Sequence, residues 1–414
     1  MSRLEELIAE LCPDGVPIMP ISEIGTLKRG KRFVHADAID KGIPCIHYGE
    51  LYTYYGISTE TTKSFVREEL APKLRYAHKN DVIIVGAGEN DTDIGIGVAY
   101  LGDDEVAIHD ACYILSHNMN PKYISYCLRT DAYHKQIKKY VSSGKICAIS
   151  AEGIGKAVIP IPPLPVQSEI VKILDNFTEL TAELTAELTA RRKQYEYYRD
   201  KLLTFDVLGR GASDVVWRTL GDIATDIYRG VGITRSQVTE QGIPCVRYGE
   251  IYTTYNVWFD VCVSHTNEDA IQNKKYFEHG DVLFAITGES VDDIAKSCVY
   301  LGHDRCLAGG DIVVMKHNQN PKYLGYVLST TAAQKQKSKG RVKSKVVHSS
   351  VPDISKIVIP ILPLEEQERI ATILDRFNTL CNDLTSGLPA EIAARQKQYE
   401  YYRDKLLTFK ELKK

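Results

Sequence analysis

The chain has 414 residues, of which 44% are hydrophobic and 25% charged, and its formal net charge is −3 at pH 7. This composition excludes a chain that is disordered throughout, and the length is enough for two or three domains with buried cores. The small negative charge gives no overall attraction to nucleic acid, so a nucleic-acid surface requires local clusters of basic residues. The sequence starts without an apolar signal core and has no apolar run of about 18 residues, so we expect a cytoplasmic protein without membrane contact.

The chain repeats itself at a nearly constant offset. Residues 42–50 (Gly-Ile-Pro-Cys-Ile-His-Tyr-Gly-Glu) return at 242–250 with two differences. A second block, residues 193–205, returns at 397–409, an offset of 204 instead of 200. Such a period is too long for a solenoid unit, so it predicts two tandem domains, each followed by its own connecting segment.

The predicted organisation has five parts. In chain order they are an N-terminal helical arm (1–15), a first repeat domain (16–162), a central helical spacer (163–210), a second repeat domain (211–362) and a C-terminal helical spacer (363–414). In the first domain, short apolar runs at 81–85 and 97–101 predict strands, and residues 122–140 predict a helix. Strands and helices do not alternate regularly, so each domain should be of the α+β class with a largely antiparallel sheet.

The central spacer is predicted to be one long helix. Residues 166–205 contain no Gly or Pro and have apolar residues every three or four positions, which predicts a helix of about 40 residues, roughly 60 Å long. In the C-terminal spacer, Gly387 and Pro389 predict a kink or break near residues 385–389. The two long helices should pack antiparallel as a coiled coil between two similar, pseudo-twofold related domains. A generic coiled coil that only dimerises is the open alternative.

A short tandem repeat lies inside the central spacer. Residues 181–184 and 185–188 both read Thr-Ala-Glu-Leu. Four residues exceed one helical turn of about 3.6 residues, so each copy adds about 6 Å of length and about 40° of rotation. The number of copies should therefore set the separation of the two domains.

No catalytic motif is recognisable. The sequence has no GxxxxGK[ST] phosphate loop and no GxGxxG after a strand. His109 and Asp110 are replaced by Gly309 and Gly310 in the second repeat, which argues against a shared nucleophile or base. The ten cysteines form no CxxC pair, so they should be buried thiols rather than metal ligands. We therefore expect no catalytic and no metal site in this chain.

Basic residues concentrate at the same place in both repeats. Residues 335–345 carry Lys or Arg at every second position without one acid. Local positive charge on a nearly neutral chain is typical of a phosphate-tracking surface, although a solvated basic loop is the alternative. The basic residues predicted to contact DNA are Lys28, Arg29, Lys31, Arg32, Lys138, Lys139 and Lys145 in the first repeat, and Arg229, Arg235, Lys337, Lys339, Arg341, Lys343 and Lys345 in the second. Those of the strip at 335–345, and Lys138, Lys139 and Lys145 in the first repeat, are predicted to contact phosphate.

Tyrosines accompany the basic residues in both repeats. Tyr48 and Tyr52 of the first repeat correspond to Tyr248 and Tyr252 of the second. A tyrosine offers a flat amphipathic surface that suits groove edges and phosphates. The alternative is a tyrosine packed under a loop with its hydroxyl bonded to backbone.

Two positions differ between the repeats inside otherwise similar surroundings. His47 stands against Arg247 inside the near-identical nonapeptide, and Asn90 stands against Ser290. In a duplicated reader, a position that varies inside a fixed frame is the best candidate for reading a base. Arg can make a bidentate contact to a base edge. We therefore predict that these four residues contact DNA bases.

The spacer sequences resemble those of a known family. Residues 167–175 (Gln-Ser-Glu-Ile-Val-Lys-Ile-Leu-Asp) and 367–375 (Gln-Glu-Arg-Ile-Ala-Thr-Ile-Leu-Asp) each follow a proline-containing entry. Together with the Thr-Ala-Glu-Leu repeats and the block at 191–203, they resemble the specificity subunit of type I restriction–modification systems, of the IC-like group. The resemblance covers nearly the whole chain.

This resemblance implies a non-catalytic subunit whose two target-recognition domains read the halves of a split double-stranded DNA sequence. It also implies helices that dock two modification (methyltransferase) subunits, which would bind S-adenosylmethionine, and a restriction subunit that would use ATP and magnesium. None of these cofactors is expected in this chain. Two other classes of function remain open at this point: a self-contained DNA methyltransferase or nuclease, and a coiled-coil scaffold without DNA specificity.

Overall fold

The structure, a computed structural model, describes residues 2–142, 144–205, 215–338, 341–343, 346–382 and 387–412. Contacts between residues divide the chain into two units, Met1–Glu183 with Ile392–Lys414, and Leu184–Glu391. Each unit contains one repeat domain and one segment from each helical spacer.

The first unit is built from short strands and helices. In chain order its strands are β1 (Ile18–Pro20), β2 (Gly25–Arg29), β3 (Ala38–Ile39), β4 (Ile43–Ile46), β5 (Ser58–Thr59), β6 (Ser64–Val66), β7 (Tyr76–Ala77), β8 (Val82–Val85), β9 (Ala87–Gly88), β10 (Gly97–Tyr100), β11 (Val106–Ile108), β12 (Cys112–His117), β13 (Cys147–Ala148) and β14 (Val158–Pro160). Its helices are α1 (Arg3–Leu11), α2 (Ile21–Ile24), α3 (Glu50–Thr53), α4 (Pro121–Cys127), α5 (Asp131–Ile137), α6 (Ala151–Gly155) and the first part of α7 (Leu164–Leu203). Short 3-10 helices lie at His35–Asp37, Glu68–Lys73, Asp91–Asp93 and Lys138–Tyr140.

Two five-stranded sheets form the first domain, in the orders β2-β12-β8-β10-β5 and β3-β6-β4-β11-β7. Most neighbouring strands are antiparallel, as predicted, whereas β5 with β10 and β4 with β11 run parallel. Strand β8 carries Val82, Ile83, Ile84 and Val85, all fully buried. Its continuous apolar run is explained by burial on both faces, which removes the need for alternating polar residues.

The second unit repeats this architecture. Its strands are β15 (Val216–Thr219), β16 (Ala224–Arg229), β17 (Val238–Thr239), β18 (Ile243–Val246), β19 (Trp258–Phe259), β20 (Ser264–Thr266), β21 (Tyr276–Phe277), β22 (Val282–Ala285), β23 (Thr287–Gly288), β24 (Ser297–Tyr300), β25 (Cys306–Ala308), β26 (Ile312–His317), β27 (Arg341–Lys343), β28 (Val346–His348) and β29 (Val358–Ile361). The further helices are α8 (Leu220–Ile223), α9 (Tyr248–Thr253), α10 (Pro321–Leu328), α11 (Thr331–Lys337), α12 (Val351–Ser355), α13 (Leu364–Asn382) and α14 (Leu388–Leu406), the last continuing into the first unit. Its five-stranded sheets have the equivalent orders β16-β26-β22-β24-β19 and β17-β20-β18-β25-β21.

The central spacer forms α7, one helix of 40 residues, as predicted. The boundary between the units falls between Glu183 and Leu184, inside the Thr-Ala-Glu-Leu repeats. The C-terminal spacer forms α13 and α14, and Gly387 belongs to neither helix. This confirms the predicted break, of which residues 383–386 lie outside the described part of the chain.

Spacer segments pack against each other within the second unit. Arg192 of α7 donates from Nη2 to the carbonyl oxygen of Cys381 on α13 at 3.4 Å. The ring of Tyr198 stacks on Phe377, with centroids 6.4 Å apart. Residue numbers rise along α7 and fall along α13 at this contact, so the two helices run antiparallel, as predicted.

The C-terminal block packs within the first unit. The Tyr402 ring of α14 stacks on Phe177 of α7 at 5.5 Å, and Tyr399 lies 6.5 Å from Tyr126 of α4. The block at 397–409 therefore belongs with the first domain, and its copy at 193–205 belongs with the second. Each block therefore packs with the domain that does not directly precede it in the chain.

The single helix predicted at 122–140 is wrong, because the chain forms two helices there. Helix α4 ends at Cys127 and α5 begins at Asp131. The Thr130 hydroxyl accepts a hydrogen bond from the backbone N–H of Tyr133 at 3.3 Å. This bond caps the start of a new helix, which explains the interruption.

In each unit, an aspartate on the spacer helix accepts hydrogen bonds from side chains of the repeat domain. Asp175 on α7 accepts hydrogen bonds from Lys122 Nζ at 2.6 Å and from the Tyr126 hydroxyl at 2.8 Å. The second unit repeats the set with Asp375, Lys322 and Tyr326. Because the tyrosine side chains are buried, their hydroxyls depend on this acceptor.

We expect Asp175→Ala to lower the free energy of unfolding of the first unit by about 1–3 kcal/mol, because the buried Tyr126 hydroxyl loses its partner. Hydrogen exchange resolved by peptide measures this loss, since exchange should accelerate in the first unit and not in the second. Asp375→Ala is the matched variant and should give the reverse pattern. Unchanged exchange in both variants would show that the aspartates do not fasten the domains.

Candidate nucleic-acid interface

In each domain, the near-identical nonapeptide (42–50 or 242–250) places its variable residue at the carboxyl end of a strand. In the first domain, β4 and β11 are parallel, and His47 and His109 directly follow them. In the second domain, Arg247 and Gly309 directly follow the parallel strands β18 and β25. The carboxyl ends of parallel strands meet at the same edge, so each pair lies together.

A glutamate holds the backbone at this edge in both domains. Glu50 accepts a hydrogen bond from the backbone N–H of His47 at 3.1 Å and another from the Ser64 hydroxyl. The buried Glu250 accepts from the backbone N–H of Arg247 at 3.1 Å. The second domain repeats the serine contact with Ser264, at 2.7 Å. The frame around the variable residue is therefore the same in both domains.

In the first domain the variable residue lies in an aromatic cluster. The His47 ring lies 4.4 Å from the rings of both Tyr48 and His109. Phe33 packs edge-on against His109 at 4.9 Å. His109 is held by two backbone bonds, accepting at Nδ1 from Ala111 N and donating from Nε2 to Phe33 O, both at 3.1 Å.

His109 is consequently a neutral supporting residue. Its two ring nitrogens are both bonded to backbone, which fixes the proton on Nε2. Burial, followed by the neighbouring His47, lowers the pKa of His109 below its ordinary value. Sequence reasoning considered His109 only as a catalytic candidate and overlooked Phe33, because the second repeat has Gly309 and Ile233 at these positions.

In the second domain the same edge forms an open cleft of about 370 Å³. Its lining includes three predicted contact residues, Arg235, Arg247 and Tyr248, together with Gly309 and Gly310. Arg247 donates from Nε to Glu250 Oε1 at 2.9 Å, and its side chain is 33% exposed. The cleft thus presents an oriented guanidinium and a partly exposed tyrosine to solvent.

The remaining aromatic and polar candidates are placed differently. Tyr252 is half-buried and donates to the carbonyl of Ala285 at 3.3 Å, and burial raises its pKa to about 12. This matches the alternative of a packed tyrosine. Tyr52 is also half-buried, and burial raises its pKa. Asn90 and Ser290 follow β9 and β23. The Asn90 side-chain amide donates to the Asp93 carboxylate, and the Ser290 hydroxyl accepts from the backbone N–H of Asp292.

Most predicted basic contacts lie on the surface. The exposed ones among the described side chains are Lys28, Arg29, Lys31, Arg32, Lys138, Lys139, Lys145, Arg229 and Arg235. Arg29 donates from Nε to the carbonyl of Asp110 at 2.6 Å, and Arg229 pairs with Asp311 at 2.7 Å. These two arginines are therefore oriented at the edge that carries residues 109 and 309.

Lys337 was predicted to contact phosphate, and this is wrong. Its side chain is buried on α11 and donates from Nζ to Leu328 O at 2.6 Å and to Ser297 Oγ at 2.9 Å. Burial lowers its pKa to about 7, because desolvation disfavours the charged form. The other predicted contacts in this strip are Lys339 and Lys345, outside the described residues, and Arg341 and Lys343, described only as backbone of β27.

The buried Lys337 predicts a pH dependence of stability. In the folded chain it loses its proton near pH 7, whereas unfolded it keeps the proton up to its ordinary pKa of 10.5. The unfolded state then binds more protons between these values, so stability rises with pH, by about 2 kcal/mol from pH 7 to 9. We expect Lys337→Met to remove this rise in urea unfolding experiments. Parallel pH profiles of the variant and the wild type would contradict it.

Comparison with known sequences places the chain in a family. The family described as "Type I restriction modification DNA specificity domain" matches residues 13–191 and 213–394. The chain belongs to this family, with one match for each half. Among the described residues, no helix is both long and apolar enough to cross a membrane.

Curated relatives carry corresponding names. The Escherichia coli type I restriction enzyme EcoR124I/EcoR124II specificity subunit is 34% identical over 264 residues, covering 61% of this chain and 63% of the relative. A Haemophilus influenzae protein, the putative type I restriction enzyme specificity subunit S.HindORF215P, is 36% identical with the same coverage. The match spans less than two thirds of either relative.

Solved structures share the fold. A chain from a structure describing complex assembly and conformational transition of the type I R-M system has a TM-score of 0.66 at 16% identity, covering 96% of this chain and 98% of that one. The S subunit of a type I restriction-modification system from M. genitalium has a TM-score of 0.50 at 15% identity, covering 94% and 96%.

Proposed function

We propose that this chain is the DNA specificity subunit of a type I restriction–modification enzyme and reads one half of a split target with each repeat domain. The observation that carries the proposal is the same glutamate-held frame occurring twice and presenting a different residue each time, His47 and Arg247. Membership of the DNA specificity domain family supports it. Assignment to the IC-like group rests on the Thr-Ala-Glu-Leu repeats.

Base reading and phosphate binding are divided between different residues. A guanidinium held at Nε, as in Arg247, can aim its terminal N–H groups at the acceptors of a guanine edge. The exposed lysines and arginines around the same edge, such as Lys31 and Arg32, would neutralise backbone phosphates and fix the register. Specificity would therefore depend on the frame residue, and salt-sensitive affinity on the surrounding charge.

The chemistry is assigned to partner subunits. Two modification subunits would dock on the spacer helices and bind S-adenosylmethionine, and a restriction subunit would supply ATP- and magnesium-dependent steps. The duplicated block at 193–205 and 397–409 supports two docking sites, because it occurs once in each unit. A cytoplasmic location, where such a complex meets DNA, is part of the proposal.

Methyl transfer by purified components tests this proposal. The chain alone should transfer no methyl group from S-adenosylmethionine to DNA, whereas the chain with the modification subunits of its system should methylate DNA in a sequence-specific manner. The modification subunits without the chain are the control and should lack specificity. Methyl transfer by the homogeneous chain alone would identify a self-contained methyltransferase. Equal modification of unrelated DNA by the complex would favour a scaffold without DNA specificity.

A further inference from the structure

The two domains differ at the variable position, 47 or 247, and also at the position beside it, 109 or 309. In the first domain, His47 faces the ring of His109 at 4.4 Å. In the second, Arg247 faces Gly309, which has no side chain, and the cleft opens there. The first domain thus combines a compact imidazole, His47, with a second ring beside it. The second domain combines a long side chain, Arg247, with an open space.

In the first domain the His109 ring has a fixed position. His109 makes two backbone hydrogen bonds and packs edge-on against Phe33, so its ring cannot turn away without breaking them. His47 contacts both this ring and Tyr48, and the centroids of those two rings lie 5.7 Å apart. An arginine at position 47 would bond Glu50 as Arg247 bonds Glu250. Its guanidinium would then have to extend past the ring of His109, which fills that space.

The space in the second domain is equally fixed. A Cβ added at Gly309 would lie 2.8 Å from the carbonyl oxygen of Val246, the strand residue that precedes Arg247. Backbone atoms cannot yield as a flexible side chain can, so a side chain at 309 would shift the strand end that carries Arg247. The second domain therefore keeps glycine where its reading residue is an arginine.

We propose that positions 47 and 109, and likewise 247 and 309, form coupled specificity pairs, so that base preference can be transferred between the domains only as a pair. This inference rests on the proposed function. The arginine–glycine pair suits a base edge with two acceptors, as on guanine, whereas the histidine pair suits a single-contact edge. His109 acts as a positioning residue, because its own nitrogens are occupied by backbone.

The test compares His47→Arg, His109→Gly and the double variant, each assembled with the modification subunits, by mapping the methylated sequences. His47→Arg alone should reduce methylation of the original target at least about tenfold, the loss expected when one specific base contact fails. The double variant should restore methylation, with the base at one position of the first half-site replaced by the base that Arg247 reads. The second half-site is the internal control and should not change.

Thermal unfolding gives a second measurement that needs no DNA. His47→Arg should lower the melting temperature of the chain, and it should lower it less in the His109→Gly background, although His109→Gly itself removes two hydrogen bonds. Transfer of the preference by His47→Arg alone, or a folded double variant without the new preference, would overturn the coupling. A wild-type complex that produces no split motif would instead overturn the proposed function, and this inference with it.

Discussion

A chain with one additional Thr-Ala-Glu-Leu copy inserted after Leu188 is expected to methylate a target whose gap is one to two base pairs longer, with both half-site sequences unchanged. The insertion lengthens α7 by about 6 Å, and base pairs are about 3.4 Å apart. The repeats lie where the chain passes from one unit to the other, and the antiparallel partner helix should transmit only part of the added length. Two similar domains that read the same face of DNA should have half-sites centred about one helical turn, roughly 10 base pairs, apart. Half-sites of about four base pairs then leave a wild-type gap near six.

A length-matched variant separates helix length from helix composition. Glu183→Gln with Glu187→Gln changes two exposed side chains of the repeats without adding residues, so it should keep the original gap. Methylated motifs of the three chains, each assembled with modification subunits, provide the comparison. An inserted copy that leaves the gap unchanged, or that alters the bases read, would show that α7 does not measure the distance.

The second large effect concerns the tyrosines of the duplicated block. Tyr197 on α7 and Tyr401 on α14 occupy equivalent positions, and each is 60% exposed. An exposed aromatic residue on a helix is typical of an interface anchor, whose truncation often weakens binding by about 2 kcal/mol or more. Tyr197→Ala and Tyr401→Ala should each leave one bound modification subunit, and the double variant should leave none. Mass measurement of the intact complex gives this stoichiometry.

A control for this experiment exists in the same chain. Tyr54 is also 60% exposed but lies in the first domain rather than on a spacer helix, so Tyr54→Ala should retain both subunits. None of the three rings is buried, so their removal should not unfold the chain. Full stoichiometry in the double variant would mean that the partners dock elsewhere.

The long elements were predictable from local sequence. Helix α7 contains no Gly and has its one Pro, Pro165, in the first turn; the break at Gly387 follows from the lack of side-chain restraint at glycine and the missing donor of Pro389. The prediction of one helix at 122–140 was wrong because it used only the apolar pattern and did not consider Thr130 as a capping residue. Apolar periodicity alone cannot separate one helix from two in sequence.

The candidate site was only partly predictable. The frame and its variable residue stand out when the repeats are compared, but the partner of His47 lies 62 positions away and is brought close by a parallel strand pairing. The prediction for Lys337 was wrong because all basic residues of 335–345 were assigned to one exposed strip. The segment is instead helical there, and Lys337 shares the buried face of α11 with Ala333, four residues earlier.

Mapping the methylated adenines in DNA from cells that produce this chain with its modification subunits is the most direct test of two-domain reading. We expect one motif made of two specified half-sites separated by a fixed, unspecified gap. Arg247→Ala should weaken specificity in one half-site by about 1–3 kcal/mol and leave the other unchanged. A continuous motif, or loss of specificity in both half-sites from this single substitution, would contradict it.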